Sequence, residues 1–232
     1  GVQTCALPIY MSYMWNEFNI KTRPAETIVF RDGVYCADLS TLPNAPINTK
    51  YDLPVHIIYV GEIAGENRLD VLVGVENQEV IISANVKIKK PAILNIFIKN
   101  AGKNSKISGT VFLDNESDLV YDCRARHLYK NTAILIKNKV LAGKNSNSKL
   151  SGTAVIDKDC EGCESDIAFV AMADVGAKID FMPGQRIKSE PKRADHSAAI
   201  YKPTDAQVFY LRGAGLSGAE VDVALKEAFL SE

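Results

Sequence analysis

The stretch that decides the fold is SKISGTVFLD, residues 105–114, because it recurs as SKLSGTAVID at residues 148–157. The two copies are 148 − 105 = 43 residues apart, and the turn sequence AGKNS beside them, at 101–105 and 142–146, repeats after 142 − 101 = 41 residues. Each copy places an apolar or small residue at every second position, a period typical of a half-buried β-strand. The repeat therefore predicts an architecture built from strands.

Similar strands follow one another along the chain, separated by turns rich in Gly, Asn, Asp and Lys. Apolar residues alternate with polar ones over 80–89, and the pattern continues at 94–98 and 177–181. Many short strands without helical periodicity favour a sandwich, a barrel or a solenoid. An internal repeat of 41–43 residues favours stacked coils, with two coils per repeat as one interpretation. We therefore predict an all-β solenoid.

The C-terminal residues predict two short helices. Thr204 followed by Gln207, and Ser217 followed by Glu220, form capping boxes that begin helices, and Gly213 suits a helix end. Because exposed strand edges recruit other chains, a solenoid needs covered ends, and we expect the helices to cover one of them. The second helix carries an apolar stripe that either packs on the last coil or docks another protein: Val221, Ala224, Leu225, Ala228 and Phe229.

Charge and composition exclude several classes of function. The chain has 27 Lys+Arg against 28 Asp+Glu, a net charge of −1, so no basic surplus draws it to nucleic acid or anionic lipid. A run of roughly 18 apolar residues, which a spanning helix requires, does not occur, and no charged start followed by an apolar run suggests secretion. We therefore expect a cytoplasmic protein that binds neither nucleic acid nor membrane.

The first nine residues, GVQTCALPI, resemble a translated sequencing adapter, so we treat 1–9 as an artefact that plays no part in the fold. The predicted organisation is then a lead-in over 1–26, a β-helix core over 27–200 and a C-terminal helical segment over 201–232. Without Cys5, four cysteines remain, which are too few for a disulfide-rich scaffold and fit a reducing compartment.

Several short motifs in the last quarter of the chain, in this order and spacing, resemble those of the SufB/SufD family, the scaffold proteins of the SUF iron–sulfur cluster assembly system. They are Gly176-Ala177-Lys178-Ile179-Asp180, Pro183, Ile187, His196-Ser197-Ala198 and the segment Val208 to Leu216. A weaker likeness extends upstream, to the His-containing segment 122–132 and to Leu150-Ser151-Gly152.

This resemblance implies a right-handed parallel β-helix that ends in a helical segment docking the ABC-type ATPase SufC. It also implies a pair of scaffold chains, homodimeric or heterodimeric, and a transient iron–sulfur cluster. The chain has no GxxxxGK[ST] phosphate loop, so ATP hydrolysis would belong to the partner, and we expect no enzyme activity here. The chain departs from the family pattern at Ala194, where SufD-like members often have Cys, and at Ser197, where Gly usually follows the motif His.

The candidate cluster-binding residues are His and Cys, because clusters are held mainly by Cys thiolates with His as an occasional ligand. His196, next to Asp195, is predicted to ligate iron or to relay protons, with a hydrogen-bonded structural His as the alternative. Cys123 and His127 share one face if their segment is a strand, and they either bind a cluster or pack inside the solenoid.

Cys160 and Cys163 form a Cys-x-x-Cys, which binds zinc or a cluster, acts as a redox pair or lies incidentally in an exposed turn. A four-thiolate zinc site would require a second such pair, which the chain lacks. The resemblance extends to this segment. GCES at 162–165 is similar to the Gln-Cys-Asp-Ser motif of SufB-like members, and Cys163 matches the functional Cys of that motif. The metal candidates are therefore His196, Cys160 and Cys163.

Three functions compete at this point. The first is a SUF scaffold component that pairs with another scaffold chain, docks the ATPase through 204–230 and helps to assemble or pass on a cluster. The second is a β-solenoid that binds or cleaves acidic polysaccharide, which an aromatic content of 8% and the lack of a secretion signal disfavour. The third is a short homologue that docks the ATPase without touching iron.

Overall fold

A computed structural model describes residues 26–31, 34–38 and 55–231, and side chains over 55–229; residues 1–9 and the rest of the predicted lead-in before Glu26 lie outside this part. The predicted parallel β-helix with two short C-terminal helices is confirmed, with about five turns. The elements are β1 Glu26–Arg31, β2 Val34–Asp38, β3 Val55–Val73, β4 Glu79–Asn100, β5 Lys106–Asn115, β6 Asp118–His127, β7 Ala133–Ala142, β8 Asn147–Ile156, β9 Glu164–Ala173, β10 Lys178–Ile187, β11 Arg193–Tyr201, α1 Asp205–Gly213 and α2 Gly218–Ser231.

The solenoid is flattened, with one row of parallel strands on each side. We call face 1 the row formed by the first halves of β3 and β4 and by β5, β7, β9 and β11. We call face 2 the row formed by the second halves of β3 and β4 and by β6, β8 and β10. Each coil thus contributes one strand to each face.

The coils are shorter than the sequence repeat. On face 1, Val80 lies beside Ile107 and Ile107 beside Ile134, so one coil here takes 107 − 80 = 27 residues. The repeat of 41–43 residues instead relates β5 on face 1 to β8 on face 2, about one and a half coils later. The interpretation of two coils per repeat is therefore wrong, because turns at the two opposite edges of the coil use the same residues.

We call corner A the edge at which the chain passes from face 2 to face 1. An asparagine lies there in the left-handed region of each of three successive turns, at φ 56° for Asn77, 55° for Asn104 and 56° for Asn131. Gly162 continues the column at φ 70°, and a Cβ at this glycine would lie 2.4 Å from Asn131 Oδ1. Asparagine and glycine tolerate this backbone conformation better than other residues, which explains the turn composition.

The predicted alternation of apolar residues builds the core. Val80, Ile82, Ala84, Val86 and Ile88 are all buried and stack on the inward residues of the next coil. Burial of each large aliphatic side chain stabilises the fold by roughly 1.5–3 kcal/mol, so stacking of the coils supplies most of the stability. The glycine of the second repeat copy has a packing reason, since a Cβ on Gly152 would lie 2.4 Å from the Phe169 ring.

The C-terminal end of the solenoid is open. Among the described strands, β10 pairs only with β8 and β11 only with β9, so each has one unpaired edge. The two helices do not cover this end as expected. Instead α2 packs on the outer surface of face 1, where Val221, Leu225 and Phe229 are buried against Met172. Neither helix in the described part of the chain has the length and apolar character that a membrane-spanning helix requires.

Candidate functional site

The predicted site residues lie in three places. His127, Cys160 and Cys163 are buried at corner A, near the last coils. Cys123 is buried inside the core, and His196 is exposed on the open terminal coil. The fold therefore brings three of the five candidates together.

His127 is the last residue of β6 and points into the solenoid. One coil earlier the equivalent residue is Asn100, which lies beside His127 in the register. Asn100 Oδ1 accepts a hydrogen bond from Ser105 Oγ at 2.5 Å, and His127 Nδ1 contacts Thr132 Oγ1 at 2.7 Å. Corner A therefore repeats one buried polar pair in successive coils.

Thr132 connects His127 to the thiols of the next coil. Its Oγ1 atom lies 3.2 Å from Cys163 Sγ, and the Cys163 thiol also lies 3.2 Å from the Tyr129 carbonyl oxygen, to which it donates. The Cys160 thiol donates to the carbonyl of His127 at 3.6 Å and to that of Lys158 at 3.5 Å. Corner A thus holds an imidazole, a hydroxyl and two thiols in one hydrogen-bonded group.

The contacts of Thr132 are satisfied by one assignment of the proton on the His127 ring. With the single hydroxyl proton of Thr132 assigned to the Tyr129 carbonyl at 3.0 Å, His127 Nδ1 is the donor in its 2.7 Å contact with Thr132. His127 Nε2 is then an acceptor, buried and without a hydrogen-bond partner among the described residues. Burial lowers the pKa of His127 to about 4, so the ring is neutral at physiological pH.

Cys123 lies on the same inward side of β6 as His127, as the strand interpretation predicted. It is buried between Ile96 and Gly152 of the neighbouring coils. Burial raises the pKa of the Cys123 thiol to about 12, which keeps it protonated. Four residues along a strand span about 13 Å, so Cys123 is separated from the thiols of corner A.

His196 lies on the terminal coil beside Ile167 of β9, whose side chain points into the core. The inward side of this coil has no further described coil above it, so His196 is exposed at the open end. Asp195, which we expected to assist it, instead pairs with Arg193, which also contacts Asp166. The carboxylate is therefore engaged with guanidinium on the outer side.

Cys163 and His196 belong to adjacent coils but not to one compact site. Cys163 immediately precedes Glu164, which lies beside Arg193, so His196 is displaced by about four residues, or about 13 Å, along the strand direction. No group of three or more His, Cys, Asp or Glu side chains within the described part of the chain could hold a metal ion. A complete ligand set for a metal or cluster therefore requires groups from outside these residues.

Thr132 and Tyr129 were missed as members of the site, although Thr132 stood in the His-containing segment. The signal that could have found them is the 27-residue spacing of Asn100 from His127 and of Ser105 from Thr132. That 27-residue spacing repeats a polar residue on each side of corner A, whereas the predicted repeat of 41–43 residues does not align these positions.

The two C-terminal helices differ in what they leave exposed. The predicted apolar stripe of α2 packs on the solenoid, where Lys139 Nζ donates to the Phe229 carbonyl at 3.0 Å and Lys226 pairs with Asp174 at 2.7 Å. Helix α1 has no buried residue, and its Phe209 and Tyr210 are 80% and 75% exposed. An exposed aromatic pair of this kind is typical of an interaction surface.

Comparison with known proteins agrees with the resemblance. A family model described as "SUF system FeS cluster assembly, SufBD core domain" matches residues 75–229, about two thirds of the chain. Iron-sulfur cluster assembly SufBD family proteins of Mycobacterium tuberculosis and Mycobacterium bovis are 22% identical to it over 150 residues, 64% of this chain and 17% of the relative. The chain thus matches less than a fifth of the length of these curated relatives.

Proposed function

The chain belongs to the SufBD family, and on this premise we propose that it is a scaffold component of SUF-type iron–sulfur cluster assembly with no catalytic activity of its own. One observation supports this proposal most strongly. At the open terminal coil, free strand edges, a half-exposed apolar interior and the exposed His196 occur together. This is an arrangement suited to meeting another chain rather than to enclosing a substrate.

A second scaffold chain would bind at this end. Each unpaired edge of β10 and β11 presents backbone N–H and C=O groups, and exposed edges of this kind pair with strands of another chain. Pairing would also cover Ile179 and Phe181, which pack against the core but remain half-exposed. The partner is a second copy of this chain or another family member, giving a homodimer or a heterodimer.

The cluster would be assembled at the seam between the two chains. His196 would lie there, with Cys163 one coil below it, and the second chain would supply the ligands that one chain lacks. The cluster is cargo in this scheme, assembled and passed on. Opening of the terminal coil would bring Cys163 to the seam.

An ABC-type ATPase of the SufC type would dock on α1. The apolar stripe of α2 is already used within the chain, whereas Phe209 and Tyr210 form an exposed aromatic pair that a partner could cover. The anchoring of α2 by Lys139 and Lys226 would transmit a movement of the docked ATPase to face 1. Nucleotide hydrolysis would then displace the two scaffold chains relative to each other.

Anaerobic reconstitution with iron and sulfide tests the cluster role. We expect charge-transfer absorption from the wild-type chain that decreases severalfold in His196→Ala and Cys163→Ser, because each removes a ligand. His56→Ala is the matched control, since His56 lies on β3, at the other end of face 1, and should leave the absorption unchanged. Absorption that is absent from the wild-type chain in both the isolated and the partner-bound state would refute the cluster role.

Co-purification with a SufC-type ATPase tests docking separately. We expect the double substitution Phe209→Ala and Tyr210→Ala to weaken the complex at least about tenfold, because exposed aromatic pairs act as binding hot spots. Val223→Ala is the control, since Val223 is 54% exposed on α2 outside this pair. Unchanged binding by the double variant would exclude α1 as the docking surface.

A further inference from the structure

The Cys-x-x-Cys turn has the geometry of a redox pair. Cys160 and Cys163 are the first and last residues of a turn whose third residue, Gly162, has φ 70°, as in a type II turn. The ends of such a turn are less than about 7 Å apart between Cα atoms, and a disulfide spans roughly 4.4–6.8 Å. Both thiols are free in the structure and belong to one buried cluster with Ile156.

The surroundings of the two thiols favour a dithiol over a metal site. Within the described residues no third His, Cys, Asp or Glu side chain completes a ligand set with them. Each thiol donates to a backbone carbonyl, Cys160 to His127 and Cys163 to Tyr129, so neither is committed to a charged partner. A neutral, paired dithiol of this kind converts to a disulfide without displacing an ion.

A short segment of the terminal coil covers the turn. Ser189 Oγ accepts from the backbone N–H of Cys160 at 3.2 Å and donates to the Asp157 carbonyl at 2.7 Å. The Glu190 carbonyl accepts from the backbone N–H of Gly162 at 3.0 Å. This cover, residues 188–192, joins β10 to β11, which have unpaired edges, so it belongs to the part of the solenoid expected to open most easily.

We propose that Cys160 and Cys163 are a thiol–disulfide switch that a peroxide closes when residues 188–192 lift, removing Cys163 from cluster assembly. In the first step a thiolate attacks the peroxide oxygen, giving a sulfenic acid and releasing water from hydrogen peroxide. In the second step the other thiol displaces a second water, and the S–S bond forms. The two thiols lose two electrons and two protons, and hydrogen peroxide is reduced to two waters.

Formation of the disulfide does not depend on the proposed function. Its effect on cluster assembly does, because that effect requires Cys163 to bind iron. Closure of the disulfide draws the Cys163 sulfur away from Thr132 and Tyr129 and removes the thiolate that would bind iron. Burial raises the pKa of the Cys160 thiol, so the covered turn reacts slowly.

The test treats the folded full chain with hydrogen peroxide. The chain is then denatured in the presence of a maleimide, which labels the thiols that remain. We expect the wild type to lose two labelled thiols, recovered with dithiothreitol, and peptide mapping to join Cys160 to Cys163. Cys160→Ser and Cys163→Ser should form no such link, and Cys123→Ser, a buried thiol outside the turn, should behave as wild type. If wild type that was folded during the peroxide treatment is fully labelled at every peroxide concentration, or if other cysteines are linked instead, the proposal is overturned.

Two further experiments separate the thiol–disulfide switch from the role in cluster assembly. Ser189→Ala should close the disulfide roughly two- to tenfold faster, because loss of the two Ser189 hydrogen bonds weakens the cover, whereas Ser83→Ala on β4 should not. Peroxide should abolish iron uptake by the wild type but only reduce it in Cys160→Ser. A disulfide without any iron uptake would refute the proposed function alone, and iron uptake without a disulfide would refute the switch alone.

Discussion

The middle coils and the terminal coil obey the same alternation of side chains but have opposite exposures. Phe169 in β9 is 2% exposed, and Phe181 in β10, which stacks edge to face on it at 6.2 Å between ring centroids, is half-exposed. Likewise Ile167 is 1% exposed while His196, beside it in the next coil, is exposed. Burial in a solenoid thus depends on whether a further coil follows, and the last described coil leaves its inward side chains exposed.

Truncation of the two stacked aromatics gives the largest expected difference between these regions. Phe169→Ala should lower the free energy of unfolding by about 3–5 kcal/mol, because it leaves a cavity under a covering coil. Phe181→Ala should cost less than half as much, since its ring is half-solvated before the change. Urea unfolding of both variants measures this, and equal losses would contradict the view that the terminal coil is the less stable part.

Protonation of His127 tests how completely corner A is closed. The pKa of this residue is about 4 in the folded chain against an ordinary value near 6.5, so the unfolded state binds more protons between these values. Stability is therefore lost as pH falls from about 6.5 to about 4, by up to about 3 kcal/mol.

Urea unfolding at a series of pH values measures this effect. His127→Gln should remove most of the dependence in that window, whereas His56→Gln should keep it. A wild-type stability that stays flat between pH 4 and pH 6.5 would mean that corner A admits water.

Substitution of Lys139 gives the smallest of the three effects and sharpens the comparison on the outer surface. Its ammonium group donates to the Phe229 carbonyl and lies 5.6 Å from the centre of the Phe229 ring. Lys139→Ala should therefore cost about 1–3 kcal/mol and free the end of α2.

Hydrogen exchange of α2 measures this loss, and the exposed Lys130→Ala serves as the control. The double substitution of Phe209 and Tyr210 should change stability by less than about 0.5 kcal/mol. An equal loss of stability from both substitutions would remove the distinction between the buried stripe of α2 and the exposed aromatic pair of α1.

The predicted parts of the fold were those carried by local pattern. Alternation over 80–88 identified the inward residues, and both capping boxes are formed, with Thr204 Oγ1 accepting from Gln207 N and Ser217 Oγ from Glu220 N. The coil length was missed because the clearest repeat compares turns at opposite edges of the coil. The α2 stripe packs on the chain's own face 1, the first of the two alternatives that its pattern left open, because a stripe that fits the chain's own surface has the same pattern as one that fits another protein.

By itself the sequence determined the strand period, the turn residues with left-handed backbone and the helix starts, since each depends on neighbours in the chain. It also determined the family, which depends on the order and spacing of short motifs. Only the tertiary structure decided that His127, Thr132, Cys160 and Cys163 meet, that Cys123 is separated from them and that the interior beside His196 stays open. The physical reason is that these contacts join successive coils, so the coil length sets them, and the number of coils sets where the stack ends.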